Sequence, residues 1–205
     1  MFKIGITGGI GSGKTTAAKI LKRKLNAYLF DADKEAKNHL LSSIPLQNKL
    51  INVFGNHVQG ENGKLDTKLL AKHAFENEIN QQLLNGILWP EVYILIEEAI
   101  QTAKDENYNT FIVDAALLIE SGLANQFDKI ILITAPEEMR LNRAIRRKNL
   151  STEQIKKRAS LQWPDEKKRV HADLIIKNDG TTDTLHKRLI RALDIKVKLL
   201  PNNYL

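Results

Sequence analysis

The chain has 205 residues, 42% of them apolar, and a net charge of +7, so it is long enough for one α/β domain with insertions and too apolar to stay disordered. It has no cysteine, which excludes disulfides, thiolate metal sites and a cysteine nucleophile and fits a reducing cytosol. The N-terminus is too quickly interrupted by glycine for a signal peptide, and no apolar run reaches the length of a membrane span, so the expected location is cytoplasmic with no membrane partner.

In chain order, Phe2–Thr7 reads as a short apolar strand running into glycine. Lys14–Leu25 carries Ala17, Ala18, Leu21 and Leu25 at helical spacing. A second strand is expected at 27–30, ending at Asp31. Residues 34–108 are mostly helical in pattern and contain no convincing strand. Breaks are expected near Ser42-Ser43-Ile44-Pro45, at Asn62-Gly63 and at Trp89-Pro90. Strands follow at 110–113, ending at Asp114, and at Lys129–Thr134. Next comes a helix start, Ala135-Pro136-Glu137-Glu138, with proline in the first turn and acids near the positive helix end. Charged helices are expected over 137–172, a last strand at 174–176 and a last helix at 184–198. Strands alternating with helices indicate an α/β fold, a parallel sheet covered on both faces, with 34–108 inserted beside it.

Gly8-Gly9-Ile10-Gly11-Ser12-Gly13-Lys14-Thr15 matches G-x-x-x-x-G-K-[ST] in full, between an apolar strand and a helical pattern. Polyphosphate is a dense anion, so backbone N–H groups must surround it, and side chains at the glycine positions would block that wrap. The helix that follows adds its positive N-terminal end. The expected ATP-binding residues are Gly8, Gly9, Ile10, Gly11, Ser12, Gly13, Lys14, Thr15 and Thr16. Lys14 is expected to reach the β- and γ-phosphates, and the Thr15 hydroxyl to ligate Mg²⁺. The loop by itself does not separate kinases from GTPases, motors or transport ATPases.

The remaining candidates lie where parallel sheets bind ligands, at the carboxyl ends of strands. Asp31 and Asp33 form an acidic pair after the second strand. One of them can cap the helix expected near Lys34, while Asp33, further out, is the candidate general base for an acceptor hydroxyl. Asp114 is a candidate Mg²⁺ ligand or a strand-end turn residue, and Glu120 is a candidate for lining the same cleft. Arg140, Arg143, Arg146 and Arg147 share one helical pattern, with Arg143 and Arg147 on one face. They can close over a triphosphate or form a solvated face. The final third is basic, with 17 Lys and Arg against 9 Asp and Glu over residues 136–205. That balance suits a small polyanion such as ATP or a nucleic acid, though solvated helix faces explain most of these lysines.

From Ile4 to about Gly180 the chain resembles the dephospho-coenzyme A kinase family. The resemblance begins with the loop Gly5-Ile6-Thr7-Gly8-Gly9-Ile10-Gly11-Ser12-Gly13-Lys14 and continues through Asp31-Ala32-Asp33. Further matches are Gly63-Lys64-Leu65-Asp66, Asn85-Gly86-Ile87-Leu88-Trp89-Pro90 and Leu117-Leu118-Ile119-Glu120-Ser121-Gly122. The pattern closes with 136–147, Gln162, Ala172-Asp173 and Asn178-Asp179-Gly180. Thr67, Trp89 and Ala116 depart from it, where the family usually has arginine, histidine and proline. The resemblance implies a P-loop fold with a five-stranded parallel core over 1–32 and 109–205, a coenzyme-binding helical subdomain over 33–108 and a lid over 140–162. It also implies Asp33 as base. Arg143, Arg147 and Lys14 are the other expected catalytic residues, and Asp31, Asp33 and Glu120 are the expected substrate-binding residues, for dephospho-CoA. ATP, with Mg²⁺ on Thr15 and Asp114, is the expected phosphoryl donor. Rival readings are another P-loop small-molecule kinase, a nucleotide-switched regulator, or a nucleic-acid binder using the basic third. No Asn-Lys-x-Asp guanine motif is present, and nucleic acid is not an expected partner.

Overall fold

The computed structural model describes residues 1–147 and 151–196. In order, the elements are β1 (Phe2–Thr7), α1 (Lys14–Leu25), β2 (Tyr28–Asp31), α2 (Ala32–Ser42), α3 (Ile44–Phe54), α4 (Thr67–Ala74), α5 (Glu78–Asp105), β3 (Thr110–Asp114) and β4 (Lys129–Thr134). They continue with α6 (Glu137–Arg147), α7 (Thr152–Ser160), α8 (Asp165–Arg169), β5 (Leu174–Lys177) and α9 (Thr182–Lys196). Two compact units result: Met1–Asp31 with Glu97–Leu205, and Ala32–Ile96.

The first unit holds a five-stranded sheet in the order β2-β3-β1-β4-β5, every neighbouring pair parallel. Side chains alternate across it. Ile4 and Ile6 of β1, Ile112 of β3 and Ile131 and Ile133 of β4 share a core with Ala17, Ala18 and Leu21 of α1 and Leu185 and Leu189 of α9. The opposite face carries Phe111 of β3, stacked on Tyr28 and Phe30 of β2. Gly5 of β1 also faces that side, where any Cβ would press on Leu118 and Ile130. The register places Ile6 beside Asp114, and Asp114 beside Asp31. The carboxyl ends of the central strands therefore form one polar edge.

The second unit is helical and has its own core of Leu40, Leu46, Leu50, Phe54, Val58, Leu70, Ala74, Leu84 and Ile87. Local chemistry sets its helix starts. The Ser43 hydroxyl accepts the Leu46 N–H at 3.3 Å. Asp66 accepts the N–H groups of Lys68 and Leu69 at 2.7 and 3.1 Å, so it caps α4. Between them, Gln59 and Leu65 form one antiparallel bridge around Gly63, whose φ is +72°.

Two expectations need correction. Trp89-Pro90 does not break the helix: α5 runs through Pro90 for 28 residues. Proline there removes the N–H that would bond the Gly86 carbonyl and crowds that carbonyl with its ring, but buried Leu84 and Ile87 before it and Ile96, Ala99, Ile100 and Ala103 after it secure both flanks. The boundary between the units accordingly falls inside α5, at Ile96 and Glu97, rather than near residue 108. Trp89 itself, a side chain suited to filling core space, is only half-buried.

Candidate active site

The loop between β1 and α1 is shaped by close backbone approach. Gly13 caps α1 at φ +94° and Gly11 has φ +76°, left-handed conformations that side-chain-bearing residues adopt only under strain. Space is also missing at both positions. A Cβ on Gly13 would collide with Asn178 Nδ2, and one on Gly11 with the Arg140 carbonyl. The Asn178 amide donates to the Ser12 carbonyl at 2.7 Å, which ties the loop to the residue that follows β5. The Ser12 hydroxyl is buried without a hydrogen-bond partner. The loop is thus packed under α6 and against Asn178, in addition to presenting its amides.

Lys14 opens α1, and its ammonium lies 3.8 Å from a carboxylate oxygen of Asp114, whose side chain is 2% exposed. Thr15 and Thr16 follow in the first turn of α1, half-buried. Lys14, Asp114 and Asp31, which is paired with Asp114 in register, therefore belong to the same polar sheet edge. Asp33 belongs to the helical unit. Because α2 starts at Ala32, Asp33 lies inside the first turn, two positions past the capping position at Asp31, and its charge sits near the positive helix end.

Of the α6 arginines whose side chains are described, Arg140 is the one on the loop. Its guanidinium lies against Gly9 and 3.5 Å from Asp165. Arg143 instead donates to the carbonyls of Asn178 and Gly180, at 2.9 and 3.4 Å. It fixes the chain after β5 and is not extended over the loop. The Arg147 side chain and residues 148–150 of the expected lid lie outside the described residues. Gln162 reaches the loop as well, its Oε1 accepting the Ile10 N–H at 2.9 Å. Arg140 and Asp165 also line a cavity of about 500 Å³ with Thr134, Pro136, Lys177 and Asp179. Burial raises the Asp165 carboxyl above its ordinary range, while Arg140 and Lys168 pull it down.

Glu120 is occupied by a partner the sequence did not single out. Its Oε1 lies 2.9 Å from the ammonium of Lys168 and accepts the Trp163 N–H at 3.1 Å. Sequence reasoning placed Arg140 in the right cluster but did not select it. Gln162 and Asn178 were visible only as parts of the family pattern. Lys168 and Asp165 sit in the charged run Asp165-Glu166-Lys167-Lys168-Arg169, where nothing in the sequence distinguishes the buried lysine from its neighbours.

A model of the dephospho-CoA kinase family matches residues 2–184. The dephospho-CoA kinase of Chlamydia felis is 37% identical over 190 residues, covering 92% of this chain and 93% of its own. A solved Thermus thermophilus structure superposes with a TM-score of 0.78 at 30% identity, over 96% of this chain and 97% of that one. The solved dephospho-CoA kinase of Campylobacter jejuni gives 0.63 at 29% identity, over 95% and 96%.

Proposed function

The chain belongs to the dephospho-CoA kinase family, and we propose that it transfers the γ-phosphoryl group of ATP to the ribose 3′-hydroxyl of dephospho-CoA, giving CoA and ADP. One observation carries the chemistry: a complete phosphate loop whose Lys14 stands 3.8 Å from the buried Asp114 at the sheet's carboxyl edge. A fixed cation beside a fixed carboxylate, under a loop of backbone amides, is the machinery that phosphoryl transfer requires.

Lys14 holds the β- and γ-phosphates as a point charge, and the amides of the loop hold the oxygens around them. Arg140, already seated on Gly9, adds a second cation next to the transferring group. We assign the cavity between Arg140 and the ends of β4 and β5 to the nucleoside end of ATP. Asp33 takes the proton of the acceptor hydroxyl as its oxygen bonds to the γ-phosphorus, and the bond to the ADP oxygen breaks. Thr15 and Asp114 offer only oxygen ligands, which suits a hard cation. No cluster of three or more His, Cys, Asp or Glu occurs among the described residues, and Mg²⁺ arriving with ATP needs only one or two carboxylates. When bound there, Mg²⁺ supplies charge neutralisation on the phosphates. No helix among the described residues is long and apolar enough to cross a membrane.

The test follows ADP release from Mg-ATP with and without 3′-dephospho-CoA, and again after chelation by EDTA. Release that depends on the acceptor and stops on chelation is expected. Slow release indifferent to the acceptor would favour a nucleotide-switched regulator.

A further inference from the structure

Lys168 is fully buried, in a five-residue helix otherwise made of charged residues. Its ammonium meets Glu120 Oε1 at 2.9 Å and donates to the Ala116 carbonyl at 3.1 Å. That carbonyl also accepts the Thr7 hydroxyl at 3.2 Å, and Thr7 is the residue before Gly8. Ala116 lies two residues after Asp114. The same Glu120 oxygen takes the Trp163 N–H. The stretch 162–168 also reaches the loop directly. Gln162 accepts the Ile10 N–H at 2.9 Å, and Asp165 pairs with Arg140 at 3.5 Å.

We infer that the buried Lys168–Glu120 pair is a positioning clasp, which fixes residues 162–168 against the segment after β3 and thereby holds Gln162 and Arg140 on the phosphate loop. A buried ion pair is a weak stability device, since apolar side chains of similar volume do as well or better. This one is also incompletely satisfied, because Glu120 Oε2 is buried without a hydrogen-bond partner. What the pair provides that apolar packing would not is direction. Two donors converge on one carboxylate oxygen and two on one carbonyl, which sets the register of α8 on the loop after β3. Neither Lys168 nor Glu120 needs to touch substrate in this role. Both act through Arg140 and Gln162.

The inference rests on the kinase reading, so its main readout is independent of the acceptor: equilibrium binding of Mg-ATP, alongside thermal melting and turnover on 3′-dephospho-CoA. Lys168→Met strands the buried Glu120 carboxylate and is expected to lower Tm and weaken ATP binding together. In the double variant Lys168→Met with Glu120→Leu, Tm is expected to return toward wild type. Its ATP binding or kcat should stay about 10- to 100-fold down, the scale of a small misplacement in a positioned site. Asp165→Asn keeps the buried pair but cuts the link to Arg140. It is expected to cause no loss of Tm near neutral pH while sharing the weakened ATP binding, and it decides the matter if the Lys168 variants do not fold. Wild-type ATP binding and turnover in the recovered double variant, or in Asp165→Asn, would overturn the clasp. A wild-type protein that binds ATP but leaves dephospho-CoA unphosphorylated would instead overturn the acceptor assignment, with the clasp still judged by ATP affinity.

Discussion

At the scale of single residues, we divide the site's charges into those that act on phosphate and those that hold the scaffold, and assign Lys14 to the first kind. Lys14→Ala is expected to nearly abolish turnover while circular dichroism stays that of the folded protein, because the lost point charge acts on the transition state. Asp33→Asn is expected to lower kcat by ~10²–10⁴, the worth of a positioned base, with ATP affinity little changed. Asp31→Asn should cost less, and steady-state kinetics that ranked the two in reverse would move the base role to Asp31. Asp165 offers a test through pH. Burial raises its pKa, so the native state keeps a proton that the unfolded chain has already lost. Its stabilising contribution is present below the ordinary carboxylate value of about 4 and is lost as pH rises through the raised value. Asp165→Asn removes that loss. Its Tm relative to wild type should therefore climb from pH ~4 toward neutrality, and a constant difference across paired melts would contradict the raised pKa.

At the scale of elements, helix starts and one helix interior carry most of the local information. Asp66 falls within one of the motifs shared with the family, and its visible work is to cap α4 through two backbone N–H groups. Asp66→Ala is expected to destabilise the protein by about 1 kcal/mol, read from denaturant midpoints at unchanged slope. A loss of acceptor binding without that destabilisation would instead mark Asp66 as a ligand contact. The strands and their following acids were legible because short apolar runs ending at Asp31 and Asp114 have few alternatives in an α/β pattern. Pro90 was misread for an equally local reason. Proline signals a break when only propensity is considered, yet apolar burial on both sides of it keeps α5 continuous. The arginine helix shows the opposite limit. Spacing put Arg140, Arg143 and Arg147 on related faces, but only neighbours from elsewhere in the chain show that Arg140 meets Gly9 and Asp165 while Arg143 is spent on the carbonyls after β5.

At the scale of the whole molecule, the helical unit over Ala32–Ile96 is far more chain than phosphoryl transfer requires. We attribute to it the grip on a large acceptor. Binding energy from the remote parts of such a substrate is used to orient the reacting hydroxyl, so truncated acceptors should lose kcat as well as affinity. The expected kcat/KM for 3′-dephospho-CoA is at least ~10²-fold above that for AMP or adenosine, measured in competition at fixed Mg-ATP. A preference for a nucleoside monophosphate would change the acceptor and leave the kinase chemistry standing.

By itself the sequence determined what is encoded contiguously: the phosphate loop from Gly8 to Thr15, the strands around it, the parallel α/β class and, through the order of its motifs, the family. The loop and strands are legible because each depends on residues within a turn or two of one another, where periodicity and glycine placement leave little choice, and the class and family follow from the order of such local units. Only the tertiary structure decided which of several equivalent charges does what. Lys168 is indistinguishable in sequence from Lys167 and Arg169, yet it alone of the three is buried, paired with Glu120 from 48 positions earlier in the chain. Asn178 reaches Ser12 across a separation of 166 residues. Burial and ion pairing depend on what the rest of the chain brings to a position, and one-dimensional spacing carries no record of that.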